Sequence, residues 1–99
     1  MAEKANQQEV KISFPENLRG GAYSNAMRIS HTKEEFVLDF IMLSPPFGTV
    51  TARVITSPSH LKRMISVLQE NLGKYESNFG KVAEAPEPPR SLGFHHPSA

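Results

Sequence analysis

From Ser57 to Gly80 the chain carries one unbroken helical pattern, SPSHLKRMISVLQENLGKYESNFG. Apolar residues stand at Leu61, Ile65, Leu68, Leu72, Tyr75 and Phe79, in steps of four, three, four, three and four. That spacing is a heptad seam rather than a loose amphipathic stripe. Met64 and Val67 widen the apolar face on one side. Lys62, Arg63, Gln69, Glu70, Lys74 and Glu76 occupy the polar face, with Glu70 four residues before Lys74 in the better orientation for a helix-surface pair. Ser57 can cap the start by accepting from an orphaned backbone N–H. Pro58 suits the first helical position, where no N–H is needed. Gly80 stands where a residue of positive φ would end the helix. Gly73 is discordant, because a mid-helix glycine costs roughly 1 kcal/mol relative to alanine. It can allow a close backbone approach.

This helix limits what the rest can be. About 22 helical residues reach about 33 Å, whereas strands of about eight residues reach only about 26 Å. The helix must overhang any sheet the remaining chain can form, leaving Tyr75 and Phe79 past its edge. A second copy of the chain would bury them. The alternative is an N-terminal segment folded over the helix end.

The 99 residues make at most one domain, and a core this small is marginal without reinforcement. There is no cysteine, so disulfides and thiolate metal sites are excluded. A partner subunit is the remaining common reinforcement. The formal net charge of +1 comes with scattered basic residues and leaves little electrostatic footprint for nucleic acid. No apolar run approaches the roughly 18 residues of a membrane span. The segment MAEKANQQEV has no signal-peptide core. The expectation is a cytoplasmic protein with no membrane association.

In chain order, residues 1–9 are polar and expected to be disordered. Val10, Ile12 and Phe14 alternate with Lys11 and Ser13, the pattern of a short strand that Pro15 ends. Such a strand suits a sheet edge or an arm crossing to a partner. The stretch from Pro15 to Gly21 reads as a loop. A strand is expected from Ala22 to about His31, with Asn25 in an otherwise apolar row; if buried, Asn25 needs hydrogen-bond partners. Thr32 to Glu35 reads as a hairpin connection. Phe36 to Leu43 is the strongest strand pattern, apolar on both faces apart from Asp39, as in a central strand. Ser44 to Gly48 reads as a five-residue break. Thr49 to Thr56 follows as a strand with Val50, Ala52 and Val54 on one face. From residue 82 to 99 the chain is rich in proline and small residues and reads as a disordered tail. The single folded unit is expected over 10–81.

These assignments imply a register. Closing the first hairpin with His31 opposite Phe36 puts Arg28 opposite Asp39. Closing the second with Leu43 opposite Thr49 puts Asp39 opposite Arg53. The result is a charge row, Arg28–Asp39–Arg53, across three strands, and such pairing fixes register. The Phe36, Leu38 and Phe40 face is expected to take the helix. The Val37, Ile41, Leu43 and Ile55 face, with Leu72, Tyr75 and Phe79 of the helix, is the expected oligomer interface.

Catalytic and metal chemistry is poorly represented. His31, His60, His95 and His96 show no metal-ligand spacing. Ser24, His31 and Asp39 supply the residue types of a triad, but no nucleophile-elbow motif accompanies them. Arg19-Gly20-Gly21 lacks the glycine spacing and lysine of a phosphate cradle and reads as a turn. Tyr23, Arg28, Lys33 and Arg53 could decorate an RNA-binding sheet face, without a ribonucleoprotein-type motif. Pro86-Glu87-Pro88-Pro89-Arg90 fits a minimal PxxP pattern, which a linker tail also gives. No enzyme activity, catalytic residue, metal or cofactor is expected.

Several stretches together resemble a known family. They are Tyr23-Ser24-Asn25, then Met27-Arg28-Ile29, then His31 through Phe40 (HTKEEFVLDF). Pro58, His60, Leu61, Leu68, Leu72, Lys74-Tyr75-Glu76 and Phe79-Gly80 extend the likeness. Over roughly residues 10–81 the chain is similar to a family of short prokaryotic proteins of unknown function. The resemblance implies a small sheet-plus-helix protein from a bacterium, archaeon or phage, and it brings no activity or catalytic residues. A weaker analogy, at the level of fold alone, links the pattern to SecB-like export chaperones.

The expected fold is therefore α+β: an antiparallel β-meander of three to four strands followed by one long C-terminal helix packed on the sheet. The expected role is a non-enzymatic homo-oligomer, in the first instance a dimer, acting as a protein-interaction or binding module. The competing readings are a SecB-like chaperone or peptide binder, marked by an exposed apolar groove, and a nucleic-acid binder, marked by a contiguous basic face.

Overall fold

The computed structural model describes residues 8–88. Strands β1 (Ala26–His31), β2 (Phe36–Ser44) and β3 (Phe47–Thr56) form one antiparallel sheet in that order, and the helix α1 (Pro58–Phe79) follows. The class and order of elements are those the pattern implies.

The first hairpin closes with His31 opposite Phe36. Its four-residue connection is tied by Thr32, whose amide donates to the Glu35 carbonyl at 2.9 Å and whose hydroxyl accepts from the Glu34 and Glu35 amides at 3.2 Å. A threonine hydroxyl that satisfies backbone donors in this way holds a turn without further contacts.

The second hairpin differs from the five-residue break. The chain reverses within Pro45 and Pro46, whose peptide is cis, and Ser44 pairs with Phe47. Leu43 therefore faces Gly48, not Thr49. A β-bulge lies where Phe40 pairs with Ala52 but Ile41 pairs with Val50, which leaves Thr51 as the extra residue. The Thr51 hydroxyl donates to the Phe40 carbonyl at 3.2 Å. Because side chains alternate along a strand, the extra residue flips every β3 side chain between the bulge and the turn. Val50 consequently shares the Ile41 face rather than that of Ala52 and Val54.

β1 starts at Ala26 rather than Ala22, and Asn25 explains the shortening. Its backbone amide donates to the Ile41 carbonyl at 3.0 Å. Its side chain then acts as a further rung of the ladder: Nδ2 donates to the Leu43 carbonyl at 2.9 Å, and Oδ1 accepts from the Leu43 amide at 2.7 Å. Upstream, Glu16–Leu18 forms a single 3-10 turn, and Gly21 has φ 73. No strand forms over residues 8–15. Val10, Ile12 and Phe14 are 71%, 86% and 64% exposed. Alternation suits a half-buried strand, but a strand must also meet an edge, and the turn after Pro15 does not fold this segment back onto one.

The helix has the expected bounds. The Ser57 hydroxyl accepts from the His60 amide at 3.2 Å, Pro58 opens the first turn, and Gly80 at φ 95 ends it. Its docking is different from the expectation. No residue of α1 is buried, and the extensive packing between elements is of β1 on β2 and β2 on β3. One residue, Ser57, separates the end of β3 from the first turn of α1. So short a link gives the chain little room to turn the helix back across the sheet.

Candidate interaction surface

The centre of the sheet is small. Leu38 and Ile41, each 5% exposed, are the buried hydrophobic residues, and Asp39, at 4%, is the buried charge. All three lie on β2, the strand with neighbours on both edges.

Asp39 stands between two arginines, paired with Arg28 on β1 and Arg53 on β3. Arg53 grips it side-on: Nε donates to Oδ1 at 2.6 Å and Nη2 to Oδ2 at 2.9 Å. This is the bidentate, charge-assisted geometry that is stronger and more specific than a single contact. The hydrogen bonds from Arg53 hold the Asp39 carboxyl below its ordinary pKa of 3.8, against the opposing effect of burial, and the charges of Arg53 and Arg28 lower it further. The same contact raises the pKa of Arg53. The bulge is what makes the row possible. Continuing the register of the turn, Asp39 would face Ala52; the extra Thr51 moves Arg53 into place.

Val37, Ile41, Leu43 and Ile55 share the Asp39 face, as the pairings Val37–Ile55, Ile41–Val50 and Leu43–Gly48 require. Ile41 is already buried within the chain, Val37 and Leu43 are half-buried, and Ile55 is exposed. On the helix, Leu72, Tyr75 and Phe79 are all exposed, and so are Ile65 and Leu68 of the same seam. Tyr75 and Phe79 stack on each other with ring centroids 5.0 Å apart. The opposite sheet face also exposes Met27, Ile29 and Val54 around Leu38. Exposed apolar side chains therefore stand on both sheet faces and along the helix.

The structure does not bring the Ser24, His31 and Asp39 set together. Ser24 lines an open hollow of about 550 Å³ with Asn17, Leu18, Gly21, Ala22, Phe40 and Ala52. Among the described residues no titratable side chain borders it. His31 stacks on Phe36 at 5.0 Å, on the sheet face opposite Asp39. Among the described residues no group of three or more His, Cys, Asp or Glu could hold a metal ion. His95 and His96 lie outside the described residues, as does the end of the Pro86–Arg90 stretch. Of the residues for an RNA-binding face, Tyr23 precedes β1, Lys33 lies in the hairpin loop, and Asp39 separates Arg28 from Arg53. No described helix is long and apolar enough to cross a membrane.

A three-stranded antiparallel meander followed by one long, capped helix is a small α+β protein. The chain belongs to the family described as protein of unknown function (DUF3467), whose model matches residues 1–84. No curated protein and no solved structure matches it, so the SecB-like analogy gains no relative.

Proposed function

We propose that this protein is a non-enzymatic interaction module that works as a homo-oligomer, a dimer in its simplest form. The observation that carries the reading is the helix: 22 residues long, with no buried residue, and exposing a regular apolar seam. A heptad seam specifies another helix as its complement, and a second copy of the chain supplies an identical one. The small core adds support, since a sheet that buries two hydrophobic side chains needs further burial from elsewhere. A chain without cysteine goes with a cytoplasmic setting.

Light scattering on a sizing column, across a concentration series, tests this. The expected mass is at least twice the 11.0 kDa of one chain, persisting on dilution. Leu72→Glu should move it toward the single-chain mass, because a carboxylate in an apolar seam must be desolvated without a partner. A wild-type chain that runs as a monomer at all concentrations would overturn the reading.

A further inference from the structure

We infer that two copies of α1 pair antiparallel, in one register set by Lys62 and Glu76. This rests on the self-association proposed above and goes further by fixing the orientation of the two helices.

In heptad terms Ile65, Leu72 and Phe79 are a positions, and Leu61, Leu68 and Tyr75 are d positions. In an antiparallel pair each a residue meets a d residue of the other helix. Placing Leu68 against the partner's Leu72 then puts Ile65 against the partner's Tyr75, and Leu61 against the partner's Phe79. Every seam residue finds a complement, and the arrangement maps onto itself under two-fold rotation, as an isologous interface must. The stacked Tyr75 and Phe79 rings at the free end of one helix are thereby carried to the sheet-proximal end of the other, where the smaller Leu61 and Ile65 leave room.

The flanking positions decide between orientations. In an antiparallel pair e positions face e positions, and g positions face g positions. Lys62, Gln69 and Glu76 are the e residues, so Lys62 meets the partner's Glu76 at both ends and Gln69 meets the partner's Gln69 at the axis. Met64, Asn71 and Asn78 are the g residues and bring no like charges together. A parallel pair would instead set g against e, giving Met64 with Gln69 and Asn71 with Glu76 and no ion pair at all. The Glu76 carboxylate is already oriented, since Oε2 accepts from the Val82 amide at 3.0 Å. Ion pairs at such rims contribute little energy, but like charges there select against wrong orientations.

Two experiments read this out. In the first, Lys62→Glu and Glu76→Lys are made singly and together, and dissociation constants are measured by sedimentation. Each single reversal creates two like-charge contacts and should weaken the dimer about tenfold at low salt; the double reversal should restore it. In the second, single cysteines report orientation cleanly because the natural chain has none. Two Gln69→Cys chains should be joined by a short bismaleimide. Two Phe79→Cys chains should not, since their sites lie about 27 Å apart along an antiparallel pair. Cross-linking at residue 79 but not at residue 69 would overturn the proposal in favour of a parallel pair. A dimer that cross-links at neither would overturn helix pairing while leaving self-association intact, and one that ignores the charge reversals would overturn the register assigned to Lys62 and Glu76. A wild-type monomer would overturn both.

Discussion

Asp39 is removed from water in the middle strand, and what keeps it charged there is first the Arg53 guanidinium bonded to it, with the charge of Arg28 beside it. Its partner Arg53 remains largely exposed, with 60% of its side chain in solvent, so the arginine caps the acid from above. A carboxyl whose folded pKa lies below its unfolded value adds stability at pH above the unfolded value and loses it as pH falls through the folded one. The lowered Asp39 pKa therefore predicts stability that declines on acidification below about pH 4. Asp39→Asn should be less stable at neutral pH and should lack this part of the acid limb, read from denaturant midpoints between about pH 2 and pH 7. Parallel acid limbs for the two proteins would contradict it. Asn25 does a different task, replacing a strand residue with an amide that pairs like backbone. Asn25→Ala removes both bonds to Leu43 and should cost about 1–2 kcal/mol, with faster hydrogen exchange at the Leu43 amide. In the sequence Asn25 was visible as a polar residue needing partners. That it would end the strand was not, because an amide side chain and a backbone unit offer the same donor and acceptor.

At the scale of elements, the helix was the most legible part. Its ends follow from Ser57, Pro58 and Gly80, each of which has one local physical role. The first hairpin was legible from its turn residues as well. The second was legible only in part, for an instructive reason. Reading Ser44 to Gly48 as unpaired placed the turn register one residue off, and missing the bulge placed it one residue off in the opposite direction. The two displacements cancel beyond Phe40, so the Asp39–Arg53 pairing follows from either path, whereas Val50 lands on the other face. Nothing in Thr49-Val50-Thr51-Ala52 announces a bulge, since β-branched residues suit either geometry. The N-terminal alternation was also over-read, because an edge to pair with is a tertiary property. Gly73 offers a test at this scale. Beyond its own turn of helix backbone and its chain neighbours, nothing lies within 4 Å of where its Cβ would stand, and it sits at a b position outside the seam. Gly73→Ala should thus raise stability by about 0.5–1 kcal/mol with unchanged mass in solution. A loss of association in this variant would show that the partner covers the outer face of the helix too.

For the whole molecule, the proportion of exposed apolar surface is the governing fact. A sheet with two buried hydrophobic residues, a helix with none, and an N-terminal segment presenting Val10, Ile12 and Phe14 to solvent do not amount to a core that offsets the ordering of the chain. Folding and association should accordingly be one process. When a chain folds only as it pairs, mass action makes its stability depend on concentration, at about 1.4 kcal/mol for each tenfold change. For a folded unit of about 150 residues in two chains, that corresponds to a rise in thermal midpoint of about 3–5 °C per tenfold increase in protein. Scanning calorimetry across a hundredfold concentration range would resolve such a rise. Leu72→Glu should abolish both the high midpoint and its concentration dependence, because what remains is a sheet without its complement. A midpoint constant across that range in the wild-type chain would mean that the sheet and helix are stable unaided. The seam would then be a surface held open for a different protein, and coupled folding would have to be given up along with the dimer.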